Sequence, residues 1–296
     1  MTASRGFVLV NALIIVAALS VVSVWLLSRA ETGRARAAAV QEAVQLELYL
    51  DAYENLALKL LDDDLPTVDD LSEAWAREDH ELALDRGRIA GRIEDLNSRF
   101  NVNWLANPEA ERARAAFDRL ALTLGLQPKT TEIIVAAITG TEEPDRDDRR
   151  RYVEIPPRGP VVLVEQLAIP PSELAILRPY LAALPADSRL NVNTASEAVL
   201  SSLLLPDGNP SALTAVLARR EQDPYESVSE FNEAVMARLG DDFEEQLAGL
   251  RLSVNSDWFV ATAVAELGGY LATRRAIVRR NPLPAGAMVA YREDSW

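Results

Sequence analysis

The sequence has no cysteine, one histidine (His80) and two lysines, Lys59 and Lys129, among its 296 residues. Without cysteine the chain has no disulfide, no thiolate nucleophile and no cysteine ligand for zinc or an iron–sulfur cluster. Neither lysine follows a glycine, so the sequence contains no Gly-Lys-Ser/Thr phosphate-binding loop. No Gly-x-Ser-x-Gly motif accompanies the histidine. The sequence therefore lacks the side chains and motifs that most catalytic mechanisms use, which predicts a protein that is not an enzyme.

Positive charge is also scarce, since 30 Lys+Arg stand against 45 Asp+Glu and give a formal net charge of −15. An acidic surface repels phosphate backbones and anionic lipid headgroups, so a nucleic-acid ligand would need a local exception. Adjacent acids such as Glu142/Glu143 and Asp241/Asp242 leave a membrane-anchored glycoside hydrolase as an alternative. Such pairs are expected by chance in so acidic a chain. The apolar fraction of 49% is typical of a globular protein.

An uncharged run of 22 residues, 7–28, lies between Arg5 and Arg29. As a helix this run measures about 33 Å, which is enough to span a bilayer core. Three interpretations are open: a cleaved secretory signal, a plain signal anchor, and a pilin-type leader that loses only the residues before the run. The run is longer than the roughly 7–15 apolar residues of a secretory signal, which disfavours the first. Ser28 and Ala30 nevertheless offer small residues at plausible cleavage positions.

The residues before the run, Met1-Thr2-Ala3-Ser4-Arg5-Gly6, and the Phe7 that opens it resemble the leader of type IV pilins and pseudopilins. In that family a membrane aspartyl peptidase cuts after the glycine, and the new first residue is N-methylated. The resemblance implies a leader peptide at 1–6, cleavage after Gly6 and N-methylation of Phe7. Glycine suits such a cut site because a residue without Cβ lets an extended backbone enter a narrow cleft. The helix at 7–28 then becomes a transmembrane and filament-core helix.

The span is predicted to continue as an amphipathic stem. Apolar residues recur on one helical face beyond it, at Leu46, Leu50, Tyr53, Ala57 and Leu60. The stem is predicted to end within 62–66, where three acids crowd the negative end of the helix dipole and a proline follows. A helix that lies half in lipid and half on a domain is typical of pilins. The alternative is a long juxtamembrane helix in an anchored protein of another kind.

Beyond the stem, the sequence pattern changes from strands to helices and back to strands. Segments 81–84 and 88–93 flank the turn Asp85-Arg86-Gly87 and predict a hairpin. Proline and serine starts then predict six helices, and apolar or β-branched runs predict three later strands. The predicted helices are 108–124, 128–138, 172–184, 196–204, 210–220 and 227–239, and the predicted strands are 250–254, 258–267 and 270–278.

This order predicts an α+β fold in which a pilin-like long N-terminal helix packs on an antiparallel sheet and a large all-helical domain is inserted between strands. The helical stem and the first strands of the pilin-like domain occupy 29–96. The inserted helical domain occupies 97–249. The remaining strands of the pilin-like domain and a C-terminal tail occupy 250–296.

Two asparagine-rich motifs carry the most specific signal. The segments 93–103, IEDLNSRFNVN, and 190–195, LNVNTA, resemble the paired motifs of the general secretion pathway protein K family, the large minor pseudopilins of type II secretion systems. The resemblance extends over nearly the whole chain. Asparagines that alternate with β-branched residues suit extended segments whose amides bond neighbouring backbone, so a structural role is favoured over a catalytic one. The motif residues are Arg99, Phe100, Asn101, Asn103, Asn191, Asn193 and Thr194.

The resemblance implies a single-pass protein of the bacterial inner membrane with its C-terminal domain in the periplasm. Its implied partners are two smaller minor pseudopilins in a tip complex, the major pseudopilin filament, the inner-membrane secretion platform and the prepilin peptidase, with secreted cargo as a further partner. Most pilins carry a glutamate at the fifth mature residue, whereas here that position is Asn11. The protein K family lacks that acid too, which suits a subunit at the filament tip, where one neighbour is missing. The alternative is a neutral polar residue that faces other helices.

The second motif also supports an alternative function. Followed by helix, turn and helix, it is similar to the helix-hairpin-helix modules of membrane-anchored competence DNA receptors. Those modules bind phosphates through glycine-rich hairpins, whereas the turn at 205–210 has one glycine and an aspartate. Residues 191–249 hold eleven acids and three arginines, a net charge of −8. Counterion release needs cationic side chains, so no nucleic-acid partner is expected.

An acid-rich loop at 141–151 suggests calcium, because closely spaced carboxylates supply hard oxygen ligands. The protein K family is known for calcium in its helical domain, so the resemblance implies calcium as a possible cofactor. The EF-hand spacing is absent, however, and four arginines in the loop are alternative partners for its acids. A solvated charged loop is therefore favoured. If a metal binds, its first candidate ligands are Asp145, Asp147 and Asp148.

Overall fold

The fold was analysed in a computed structural model, which describes residues 3–77, 80–84, 86–107, 111–140, 161–205, 210–240, 243–281 and 286–296. The helices in this part of the chain are α1 (Ala3–Asp63), α2 (Glu111–Thr123), α3 (Pro128–Thr139), α4 (Pro171–Leu177), α5 (Glu197–Leu204), α6 (Pro210–Gln222), α7 (Val228–Leu239) and α8 (Glu244–Ala248). The strands are β1 (His80–Ala83), β2 (Arg88–Asp95), β3 (Phe100–Asn101), β4 (Leu181–Ala182), β5 (Leu190–Asn191), β6 (Leu252–Ser253), β7 (Trp258–Leu267), β8 (Tyr270–Asn281) and β9 (Gly286–Ser295).

Helix α1 is continuous and has two halves of opposite character. Its first half is exposed and apolar, with a mean hydropathy of 2.5 over its best window, so by length and composition it is able to cross a membrane. Its second half buries Leu46, Leu50, Tyr53 and Ala57, as predicted. The next buried residue is Leu61, and Leu60 is half-buried. The reason is that a straight helix has 3.6 residues per turn, so a four-three repeat drifts off the buried face.

The stem packs on one face of a five-stranded antiparallel sheet with the strand order β1-β2-β7-β8-β9. Gly91 of β2 lies directly against the stem, where an added Cβ would fall 2.3 Å from the ring of Tyr53. Only glycine therefore permits this approach. The β7–β8 hairpin turns at Gly268 and Gly269, which both have positive φ.

Ion pairs in which one partner is buried join the stem to the last two strands. Arg274 of β8 is 2% exposed and binds Asp51 of the stem and Asp294 of β9. Arg292 of β9 binds Glu54 of the stem. Removing Arg292 would leave the buried Glu54 with only the more distant Arg274 as a partner, which is costly. These contacts fix the stem against the C-terminal strands.

The helical domain is inserted between two neighbouring strands. Asp95, at the end of β2, pairs in register with Phe259 of β7, so the chain leaves the sheet and returns to it at the same end. Helices α2 to α8 share one large apolar core that includes Phe100, Phe117 and Phe231. A smaller cluster joins this domain to the sheet face opposite the stem. The pilin-like α+β fold with an inserted helical domain is thereby confirmed.

Three predicted elements need correction. The helix expected over 172–184 ends at Leu177, because Pro179 has no backbone N–H to continue the helical hydrogen bonds. The strand expected over 250–254 covers only Leu252–Ser253, which pairs in parallel with β5. The C-terminal tail contains a ten-residue strand, β9, which pairs with β8 at the edge of the sheet. The other predicted helices and strands are present to within a few residues in the described part of the chain.

Candidate functional site

The first asparagine motif is buried and fixes the backbone of the helical domain. The side-chain oxygen of Asn101 accepts bonds from the backbone N–H groups of Asn103 and Leu184, both at 3.1 Å. The side-chain amide of Asn103 binds both polar backbone groups of Val161. Its oxygen accepts the Val161 N–H at 2.8 Å, and its nitrogen donates to the Val161 carbonyl at 2.7 Å. This motif therefore connects segments that are far apart in sequence within the helical domain.

The second motif repeats this arrangement. The side-chain oxygen of Asn191 accepts the N–H of Asn193 at 2.9 Å. The amide of Asn193 brackets Tyr225, accepting its N–H at 2.9 Å and donating to its carbonyl at 3.0 Å. In both motifs the first asparagine makes an Asx turn and the second binds both polar groups of one distant backbone residue. Both motifs also begin in a two-residue parallel strand pair, β3 with β4 and β5 with β6.

The second motif also reaches into the pilin-like domain. The side-chain nitrogen of Asn191 donates to Ser256 Oγ at 2.9 Å and to the Asp69 carbonyl at 3.1 Å. Thr194 and Ser256 donate their hydroxyls to the same oxygen of Asp95. Asp95 closes strand β2, so its carboxylate joins the sheet to the helical domain. We call this buried group, Asp69, Asp95, Asn191, Thr194 and Ser256, the junction cluster.

The junction cluster is ionisable. Burial raises the pKa of the Asp95 carboxyl, although the Ser256 and Thr194 hydroxyls and the Asn97 N–H lower it in part. Burial raises the pKa of Asp69 to about 6, against the opposing bonds from Arg280. Arg280 is itself buried and binds Asp69, Asp64 and the Ser256 carbonyl. Arg280 partly offsets the charge of Asp69, and Arg99 partly offsets the charge of Asp95.

The other residues of the first motif lie beside the junction cluster. Phe100 is fully buried, with its ring centroid 5.3 Å from that of Trp104 and 5.6 Å from that of Phe117. Arg99 donates to the Arg178 carbonyl at 3.0 Å and to Glu94 at 3.1 Å, and burial lowers its pKa. A cleft of about 610 Å³ runs between the two domains here, bordered by Trp75, Arg99 and Thr194. Its polar groups bind one another, which suits a structural junction.

The N-terminal candidate residues lie far from this junction along α1. Gly6 and Phe7 are within the first turns of the helix, and Phe7 is 70% exposed. Asn11 lies one turn further and is exposed. The cut site and the fifth position of the proposed mature chain are thus both on the unburied half of α1. Cleavage and N-methylation stay predictions.

The candidate metal ligands Asp145, Asp147 and Asp148 lie outside the described residues. Within the described part of the chain, carboxylate oxygens of Asp64, Asp69 and Glu73 lie within 4.8 Å of one another. Arg280 already binds Asp64 and Asp69. A guanidinium at this position opposes a bound cation, so the arrangement fits an ion-paired structural cluster.

Four residues of the junction were not selected from the sequence: Asp69, Asp95, Ser256 and Arg280. Asn97 lies within the first motif but is not among the motif residues predicted from the sequence. Its side-chain oxygen accepts the N–H groups of Asp257 and Trp258, and its side-chain nitrogen donates to the Arg189 carbonyl. The position of Asn97 and Asp95 within the first motif is the sequence signal that could have identified them. Asp69 and Arg280 had none, because their pairing across 211 residues depends on the tertiary fold.

Comparisons with known proteins agree with the motif interpretation. Residues 190–255 match the family described as type II secretion system (T2SS), protein K. A type II secretion system protein K of Pseudomonas aeruginosa is 26% identical, over 89% of this chain and 85% of that protein. A second one, from Aeromonas hydrophila, is 25% identical, over 89% of each chain. The resemblance predicted from the two asparagine motifs is confirmed.

A solved structure shares the fold. A chain in the crystal structure of the GspK-GspI-GspJ complex from the enterotoxigenic Escherichia coli type 2 secretion system superposes with a TM-score of 0.69 at 22% identity. The match covers 88% of this chain and 99% of that chain. The long N-terminal helix, the antiparallel sheet and the inserted helices therefore belong to a known architecture.

Proposed function

Starting from this resemblance to the protein K family, we propose that the chain is a minor pseudopilin of a type II secretion system. It acts in assembly initiation, length control and the export of folded periplasmic proteins, and it has no enzymatic activity. The observation that carries the proposal is the continuity of α1, whose first half is apolar and exposed and whose second half is buried on the sheet. A helix of this kind joins a membrane or a filament core to a folded head.

The N-terminus is proposed to be processed as in pilins. The prepilin peptidase cuts after Gly6, and Phe7 becomes the N-methylated first residue. The mature helix anchors the protein in the bacterial inner membrane as a single pass, with the head in the periplasm. Asn11 then lies in the filament core without a charge, so it has no need of a neighbour's amine.

The head is proposed to assemble with two smaller minor pseudopilins at the filament tip, above the major pseudopilin and the inner-membrane platform. Two chains accompany the GspK chain in the structural relative. The inserted helical domain supports a terminal position, because it emerges at one end of the sheet and adds a second core that is larger than the core of the pilin-like domain. Such a head is too bulky to repeat along a shaft, and its exposed side is available to secreted cargo.

The alternative of a competence-type DNA receptor has less support. Arg219 and Arg220, on α6 of the helix-hairpin-helix region, are both engaged within the protein. Arg219 binds Glu230, and Arg220 is largely buried and donates to the Val192 carbonyl at 2.6 Å. Burial also lowers the pKa of Arg220 to about 10. These two arginines are therefore poorly placed to neutralise a phosphate backbone.

Intact-mass and N-terminal analysis of the membrane-extracted protein, with and without its prepilin peptidase, tests the processing. We expect a chain that begins at N-methylated Phe7 only when the peptidase is present. Gly6→Val should block the cut, whereas Gly33→Val, on an exposed part of α1 with open space around it, should leave the cut intact. A chain that keeps Met1, or one cut near Ala30, would contradict the proposal and favour an anchored receptor or a secreted protein.

Crosslinking tests the assembly. Because the chain has no cysteine, one cysteine introduced at the exposed stem residue Leu48 is a unique crosslinking site. We expect adducts with the smaller minor pseudopilins and a position at filament tips by immunogold labelling. Labelling along the whole shaft would contradict the steric explanation, and the absence of any pseudopilin adduct from Leu48 and from Val44 would contradict the assembly role.

A further inference from the structure

A cavity of about 440 Å³ lies on the surface of the helical domain, away from the junction cluster. Its floor is apolar and is formed by Leu190, Leu203 and Leu252, of which Leu190 and Leu252 are the paired residues of β5 and β6. Trp104 forms one wall. An apolar cavity of this size with a few polar groups is typical of a ligand site.

The walls of the cavity are fixed. The indole N–H of Trp104 donates to the Ser188 carbonyl at 3.1 Å, and its ring packs edge-on against Phe100. Arg112, at the start of α2, lies directly over Gly249, where an added Cβ would be 2.2 Å from the guanidinium. Glycine at this position therefore makes room for the arginine. Fixed walls reduce the conformational entropy that the protein loses when a ligand binds.

The charge of the cavity is opposite to that of its surroundings. Residues 191–249 carry a net charge of −8, and the whole chain carries −15. The described residues that line the cavity include Arg112, Arg251 and the single acid Glu111, a net charge of +1. Arg251 is exposed and forms no ion pair with an acid in the described part of the chain. The cavity thus presents cationic groups beside an apolar floor.

We propose that this cavity binds the C-terminal end of a partner polypeptide whose last residue is apolar. The terminal carboxylate bonds to Arg251 and lies beside Arg112, since guanidinium groups bind carboxylates with two parallel hydrogen bonds. The last side chain rests on the leucine floor against Trp104. A nucleic-acid ligand fits less well, because its polar backbone would cover the leucine floor.

Fluorescence anisotropy with the full-length chain in detergent micelles tests the proposal. The probe is an amino-terminally labelled octapeptide with a free C-terminal phenylalanine, and its matched control is the same peptide with an amidated C-terminus. We expect the free acid to bind and the amide to bind about tenfold to a hundredfold more weakly, as for the loss of a charge-assisted hydrogen bond. Equal binding of acid and amide, or no binding of the acid at millimolar concentration, would overturn the proposal.

Three variants locate the binding. Arg251→Gln should weaken binding of the acid about tenfold and leave binding of the amide unchanged. Ala186→Phe, at an exposed lining position, should block both peptides by filling the cavity mouth. Arg238→Gln removes the same charge from the exposed face of α7 and should change the binding of neither peptide.

Equal losses of binding in Arg251→Gln and Arg238→Gln would indicate nonspecific attraction and overturn the site. Tighter binding of a single-stranded DNA oligonucleotide than of the acid would overturn it in favour of a phosphate ligand.

Discussion

The two asparagine motifs make the same local structure and have different consequences for the molecule. In both, one asparagine turns the backbone and the next brackets a distant residue, Val161 in the first motif and Tyr225 in the second. In the first motif, Asn101 and Asn103 bind only backbone groups of the helical domain. The second adds the contacts of Asn191 to Ser256 and to the Asp69 carbonyl, which belong to the pilin-like domain.

Two copies of one local structure therefore have different roles in this molecule. Asn101 and Asn103 organise the helical domain, whereas Asn191 fixes that domain to the pilin-like domain, as does Asn97 through its bonds to Asp257 and Trp258. The second motif also places Asn191 and Thr194 against a titratable group, the Asp95 carboxyl, whereas the Asn101 and Asn103 side chains bind only backbone groups. Changes in the two motifs should therefore differ in where they loosen the protein and in how the effect depends on pH.

The largest effect should come from replacing the first asparagine of each motif. Asn191→Leu removes four hydrogen bonds and Asn101→Leu removes three, and both leave buried partners unpaired, so each should lower the free energy of unfolding by about 3–5 kcal/mol. Chemical denaturation of the purified chain measures this loss. Asn55→Leu, at an exposed stem position, is the matched control and should change stability by about 0.5 kcal/mol or less.

Hydrogen exchange with mass spectrometry separates the two variants. Asn101→Leu should speed exchange near Leu184 and Val161, within the helical domain only. Asn191→Leu should also speed exchange near Asp69 and Ser256, in the pilin-like domain, because it opens the junction. Identical exchange maps for the two variants would contradict the division of roles.

A smaller effect is expected from Thr194→Val, which keeps the shape of the side chain and removes the hydroxyl that binds Asp95. Asp95 keeps the Ser256 hydroxyl and the Asn97 N–H, so the loss should be about 2 kcal/mol. Thr123→Val, on the surface of α2, makes the same chemical change and should cost much less. Thermal unfolding of both variants measures the difference. Equal costs would mean that the bond to Asp95 contributes nothing specific.

Most of the fold could be predicted from local pattern, and the junction only in part. The buried stem face from Leu46 to Ala57 follows from helical periodicity, and the β7–β8 hairpin follows from its two glycines. Strand β9 was missed because an edge strand with one exposed face and charged residues has a weak pattern. Asp69 and Arg280 were missed because the ion pair between the end of the stem and β8 forms only when the sheet has folded.

The prediction with the smallest expected effect concerns Glu73, which lies beside Asp69 and accepts bonds from the Trp75 indole at 2.6 Å and from the Asp70 N–H at 3.2 Å. Burial raises the pKa of Glu73 to about 7. In the unfolded chain a glutamate loses its proton near pH ~4.3. Between these pH values the folded protein holds the extra proton, so the free energy of unfolding falls as the pH rises from about 4 to 7.

Glu73→Gln keeps an oxygen for both hydrogen bonds and removes the titration. The fall in stability between pH 4.5 and pH 8 should therefore be smaller in Glu73→Gln than in the unmodified chain, by about 0.5 kcal/mol because the side chain is partly exposed and screened. Asn101→Leu should leave the size of this fall unchanged, since the Asn101 side chain bonds only to backbone groups. Denaturation at the two pH values measures both. A steeper fall in Glu73→Gln would contradict the titration of Glu73 as a cause of the fall. The same change in Asn101→Leu would mean that the helical domain also contributes to the pH dependence of stability.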